Sequence, residues 1–157
     1  MLEFKLVYGK DGYEITKELR EKVFMKEQGF SYDADELDET SWHIAGFDKG
    51  NVIAAARMYK KAEGVFVIGR VAVDKEYRRQ YIGDTLLRAL EDKAVNQKGW
   101  LIEINSQETA VEFYEKEGYE KTGKTHDEEG VLHFGMTKDL TKPFKRCDGC
   151  HAHNTHG

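Results

Sequence analysis

The residue types best suited to chemistry are concentrated in Arg70-Val71-Ala72-Val73-Asp74-Lys75-Glu76-Tyr77-Arg78-Arg79-Gln80-Tyr81-Ile82-Gly83-Asp84-Thr85-Leu86-Leu87. An apolar strand runs through a short basic loop into a helix that begins near Gly83. Free backbone N–H groups and the positive end of a helix dipole make such a junction an anion site. Arg78, Arg79 and the side-chain amide of Gln80 add charge and donors. Gly83 lets backbone approach a bulky anion, because no Cβ stands in the way. By itself the loop reads equally well as two solvated arginines before an ordinary helix start.

Other reactive types are scattered. Asp33, Asp35, Glu36, Asp38 and Glu39 form an acidic run, either a lip that attracts a cationic amine or a solvated loop. Both cysteines and three of the six histidines fall in the tail, within Cys147-Asp148-Gly149-Cys150-His151-Ala152-His153-Asn154-Thr155-His156. Thiolates and imidazoles at this spacing suit a soft transition ion such as Zn²⁺. Cys147 to His151 also fits the C-x-x-C-H haem-attachment pattern, but no domain follows to wrap a haem. A metal-binding tail and a disordered one both stay open.

The elements that must position these residues follow from periodicity. Phe4, Leu6 and Tyr8 alternate as a first strand, and residues 13–28 carry helical spacing at Ile15, Leu19, Val23 and Phe24, stopped by Gly29. Two strands, 42–47 and 52–59, flank the hairpin signal Asp48-Lys49-Gly50-Asn51. Residues 65–73 form a strand apolar enough for burial on both faces. A helix over 83–97 carries the stripe Leu86, Leu87, Leu90 and Ala94, and a strand over 100–105 follows. A short helix around Phe113 and Tyr114 precedes two last strands, 119–125 and 132–138. The order predicts an α/β (α+β mixed) fold: a central mixed sheet with helices on both faces.

Composition excludes several classes. The chain has 157 residues, enough for one domain, and 39% hydrophobic residues, enough to fill a core without disulfides. Lys+Arg 24 against Asp+Glu 29 gives a net charge of -5, so no basic field exists for nucleic acid or a membrane surface. Apolar runs fall short of the ~20 residues a membrane span needs. Met1-Leu2-Glu3-Phe4 opens straight into strand-like alternation, which predicts a cytoplasmic protein.

The basic loop resembles the acyl-CoA-binding motif of the GNAT superfamily of N-acetyltransferases: Arg or Gln, two residues, Gly, one residue, then Gly or Ala. Arg78, Tyr81 and Gly83 occupy its three positions, with Tyr81 where the family usually has its first glycine. Two further blocks carry the resemblance. Residues 105–119 are similar to the family's strand–helix segment ending in Phe-Tyr, three residues, Gly and an aromatic. Val23-Phe24-Met25-Lys26-Glu27-Gln28, Asp38, Trp42-His43-Ile44 and His133-Phe134-Gly135-Met136 resemble a subgroup of small bacterial members.

The resemblance implies a mostly antiparallel GNAT-like sheet with one splayed parallel strand pair, occupying residues 1–140, and a flexible tail at 141–157. It implies acyl transfer from acetyl-CoA, as co-substrate, to a primary amine that is a small molecule or a peptide. The pantetheine arm would pair with Val71, Ala72 and Val73. The pyrophosphate would sit on the amides of Arg79, Gln80, Tyr81, Ile82, Gly83 and Asp84, beside Arg78. Asn105 and Phe113 would stand across the gap that admits the thioester. A backbone N–H of residues 71–73 would stabilise the oxyanion, and Tyr114 would be the general acid to the leaving thiolate. His43, His133, Glu27, the carboxylates near Asp38, or a water chain would take the amine's proton. Two other readings compete: a non-catalytic acyl-CoA sensor on the same fold, and a protein acting through a metal-binding tail. A homodimer stays open.

Overall fold

A computed structural model describes residues 2–143 of the chain. Seven strands form one sheet in the order β1-β2-β3-β4-β5-β7-β6: β1 Leu2–Tyr8, β2 Ser41–Asp48, β3 Asn51–Ala62, β4 Val65–Val73, β5 Leu101–Gln107, β6 Glu120–Glu128 and β7 Val131–Asp139. Every neighbouring pair is antiparallel except β4 and β5, which are parallel. The connection between those two is the helix α2, Ile82–Asn96, since parallel neighbours need a crossover. The expected mixed sheet is present, as is the β2–β3 hairpin, whose tight turn places Lys49 and Gly50 at φ 52° and 82°.

Helices cover both faces. α2 turns Leu86, Leu87, Leu90 and Ala94 onto the sheet, all 0% exposed, and α3 (Val111–Lys116) adds Phe113 and Tyr114 to the same core. Each buried leucine contributes about 2 kcal/mol of hydrophobic stabilisation. The buried Glu91 of α2 accepts from Tyr119 Oη at 2.8 Å and Lys138 Nζ at 3.0 Å, tying that helix to β7. On the opposite face α1 (Lys10–Arg20) and the turn after it bury Leu19 and Val23 against Ala55 and Ala72. Gly12 allows this close approach, because a Cβ there would lie 2.7 Å from the His43 ring.

The helix expected over 13–28 is two structures. α1 ends at Arg20, and Glu21–Glu27 continues as a π-helix with wider turns, seen in the bond from Gln28 N–H to the Val23 carbonyl at 3.0 Å. Within this wider turn Val23 is buried in the core with Phe24 packed against it, and both residues reach the wall of the cleft described below. Single π-turns of this kind often mark functional sites. Periodicity alone does not distinguish the two helices, because Leu19, Val23 and Phe24 satisfy either repeat.

Candidate active site

The parallel pair β4–β5 stays in register only from Val65↔Leu101 to Ile68↔Ile104. Beyond Ile68 the strands part, while β4 keeps β3 as its partner through Ala55↔Ala72 and Ala54↔Val73. One edge of residues 69–73 is thereby left without a strand partner and faces a gap, across which stands Asn105. A cavity of about 430 Å³ runs through that gap. Val71, Ala72 and Val73 line one side of it, and Asn105, Phe113 and Tyr114 the other. A β-bulge starts the divergence: between the pairs Ala55↔Ala72 and Arg57↔Gly69, one residue of β3, Ala56, faces two of β4, Arg70 and Val71. Arg70 absorbs the extra residue at φ 51°, a left-handed conformation that costs a non-glycine residue on the order of 1 kcal/mol. Nothing in the residue pattern marks that bulge.

At the far end of β4 the chain makes a 3₁₀ turn, Lys75–Tyr77, and enters α2 through the predicted loop. By helix geometry Ile82, Gly83 and Asp84 carry amides with no acceptor one turn back. The Ile82 side chain is itself buried in the core, leaving only its backbone for the junction. Tyr81 has φ 61° and ψ 17°, the left-handed conformation that a glycine adopts without penalty. Tyr81 is 38% exposed and does not line the cavity. Arg79 is exposed, lines the cavity and also has positive φ. Gln80 is exposed at the same turn.

Arg78 differs from expectation. Its guanidinium donates to both oxygens of Glu27 at 2.6 and 2.9 Å, and its Nε to the Val73 carbonyl at 2.9 Å. It therefore fastens the π-helix to the end of β4, and Arg79 is the arginine of the loop without such a clamp.

Tyr114 is 7% exposed, with its ring edge-on to Phe113 and Tyr119 at centroid distances of 5.1 and 5.8 Å. Burial alone pushes its phenol above the ordinary range, so the resting hydroxyl carries its proton.

The acidic run is not a lip. Asp33 and Asp38 are buried and Asp35 half-buried, all three turned inward onto arginines of three elements; Glu36 and Glu39 are exposed. Arg20 of α1 donates to Asp33 Oδ2 at 2.8 Å and Asp38 Oδ1 at 2.7 Å. Arg57 of β3 forks onto Asp35 at 2.6 and 2.9 Å and reaches Asp38 at 2.9 Å. Arg70, the bulge residue, donates to the Asp33 carbonyl at 3.0 Å. Three carboxylates face three guanidiniums, so Asp33, Asp35 and Asp38 are neutralised where they stand. The run ties the loop to β3 and β4 at the cavity wall, where Asp33, Arg57 and Arg70 all appear.

Three of the proposed proton acceptors are thereby spent. Burial raises the Asp38 carboxyl, but hydrogen bonds from Arg20 and Arg57 and from the Asp35 N–H overcome it and hold it at about 2, too low for a base. Glu27 is lowered by its bond to Arg78. His43 is 1% exposed, bonds the Asp38 carbonyl through Nε2 at 2.9 Å, and is depressed chiefly by burial; it does not line the cavity. His133 of β7 does line it, with Glu128 at the end of β6 beside it. Sequence reasoning missed Glu128, which lies between the predicted strands 119–125 and 132–138. It also missed the aromatic wall of Phe30, Tyr32 and Tyr59. The metal and haem readings of Cys147, Cys150 and His151 lie outside the described residues.

Residues 7–140 match the family described as the acetyltransferase (GNAT) domain, and the chain belongs to that family. YjcF of Bacillus subtilis strain 168, an uncharacterized N-acetyltransferase, is 33% identical over 124 residues, covering 77% of this chain and 88% of YjcF. The crystal structure of ElaA from Escherichia coli superimposes with a TM-score of 0.79 at 26% identity, covering 88% of this chain and 100% of ElaA. An aminoglycoside 6'-N-acetyltransferase solved with coenzyme A shares the fold at 15% identity and a TM-score of 0.70, covering 90% of this chain and 99% of its own. The chain is thus a GNAT-type acyltransferase. No helix among the described residues is long and apolar enough to cross a membrane.

Proposed function

We propose that the protein transfers an acetyl group from acetyl-CoA to a primary amine, and that residues 7–140 suffice for the reaction. The observation that carries this reading is the divergence of β4 from β5 around a cavity lined by a free strand edge on one side and Tyr114 on the other. An extended pantetheine arm can add to that edge, its amides pairing with backbone groups of Val71, Ala72 and Val73. The diphosphate then falls at the amides of residues 79–84, with Arg79 alongside. A structural neighbour of this fold was solved with coenzyme A, which supports an acyl-CoA donor.

The thioester carbonyl enters the gap opposite Asn105. A neutral amine attacks its carbon, the C–N bond forms, and the oxyanion accepts from a backbone N–H near the bulge. The C–S bond breaks, and the thiolate leaves as a thiol with the Tyr114 proton. The surplus ammonium proton passes to water at the end of the cleft where His133 stands, and tyrosinate is reprotonated from solvent. Incubation with acetyl-CoA and a panel of primary amines tests the reading: free thiol must appear with at least one amine, at a rate above hydrolysis. Absence of amine-dependent thiol release from a protein that binds acetyl-CoA would instead favour a sensor.

Tyr114→Phe separates chemistry from binding. It is expected to lower turnover by about 100-fold, the lower bound for loss of a general acid, while acetyl-CoA affinity changes less than about threefold. Equal loss of both would make Tyr114 a packing residue.

A further inference from the structure

We propose that His126, Glu128 and His133 form a site for a divalent first-row transition ion of the zinc type at the rim of the cleft. The inference stands on the donors of the β6–β7 hairpin and does not depend on the acyl-transfer reading. His126 and His133 are directly opposed in the strand register, and Glu128 lies two residues along β6 on the same face. One donor atom from each lies within 4.8 Å of the other two, the only such group among the described residues. His126 Nε2 is 3.8 Å from Glu128 Oε2, and the imidazoles stack with centroids 5.2 Å apart at 20°.

The second observation concerns the tautomer. His133, 8% exposed, directs Nδ1 at the Val131 carbonyl at 2.9 Å, so Nδ1 is the donor of that bond and Nε2 is the nitrogen left for a ligand. Metal-ligating histidines are held in this way, by a hydrogen bond on the nitrogen that does not bind. Two imidazoles and one carboxylate are a known zinc set that leaves a coordination position open. Ligand atoms about 2.1 Å from one ion lie roughly 3.4 Å apart. Rotation of the exposed His126 and the half-buried Glu128 closes the remaining distance, while buried His133 stays still. Glu128 and His133 line the cavity, so the open position faces it and takes water or a donor atom of a bound molecule.

The tail must be silenced for the test, because it carries its own thiols and imidazoles. The full chain bearing Cys147→Ser, Cys150→Ser, His151→Asn, His153→Asn and His156→Asn is stripped with chelator and titrated with Co²⁺. One equivalent is expected to bind with a visible d–d band, displaced by one equivalent of Zn²⁺. His126→Ala and Glu128→Gln should each weaken Zn²⁺ binding at least about tenfold without lowering the metal-free unfolding temperature. No d–d band in the tail-silenced chain, or unchanged affinity in His126→Ala, overturns the site.

Discussion

Arg20→Ala is expected to lower the free energy of unfolding by about 3–5 kcal/mol, the cost of stranding a buried charge. In a domain of this size that corresponds to a fall in melting temperature of about 6–20 °C. The guanidinium is 1% exposed and is the ligand that Asp33 and Asp38 share. Without it two carboxylates remain where water barely reaches, and Arg57 and Arg70 compensate only in part. Breaking the exposed pair Lys60–Glu63 by Lys60→Ala should cost less than about 1 kcal/mol, since both side chains lie largely in solvent. Thermal unfolding of the two variants beside the parent decides the matter; similar small losses would mean that the buried network contributes little. The same network sets an acid limit. The Asp38 carboxyl is lowered from its ordinary 3.8 to about 2, so its contribution is fully present above pH 4 and is lost as pH falls toward 2.

Gly83→Glu is expected to weaken acetyl-CoA binding at least about 100-fold, or about 2.8 kcal/mol. Gly83 is a buried residue of the first turn of α2, among the amides that have no helical acceptor. A carboxylate there competes for those donors and repels a diphosphate, although an acidic residue in a helix's first turn favours the helix itself. Because Gly83 is buried, the new side chain also carries a desolvation cost, and a melting curve beside a calorimetric titration separates lost folding from lost binding. Retained affinity in a folded variant would remove the diphosphate from this junction.

What was legible in the chain followed from local rules. β4 begins and ends where the apolar run 65–73 does, and the stripe Leu86, Leu87, Leu90 and Ala94 placed α2 on the sheet to within a residue at each end. The basic loop, Gly83 and the Phe113–Tyr114 pair were joined as one site only through the resemblance to the GNAT superfamily, not through spacing or topology. Pairings across long separations could not be read. The acids 33–38 looked solvated because their partners, Arg20, Arg57 and Arg70, belong to a helix and two strands whose spacing gives no sign of convergence. His43 looked like a candidate base, and only the packing of α1 over it shows a structural role. Glu128 and His133 meet through hairpin register, which a shift of one residue would undo. Arg78 had the right type and position for an anion, but Glu27 holds it.

The most direct measurement of the central claim is backbone amide hydrogen exchange of the full chain with and without saturating acetyl-CoA. The free edge of β4 and the start of α2 should be protected together: slower exchange at residues 71–73 and 79–84, with β1 and β2 unchanged. Protection confined elsewhere, or no binding at millimolar acetyl-CoA, would contradict a donor held in the gap between β4 and β5.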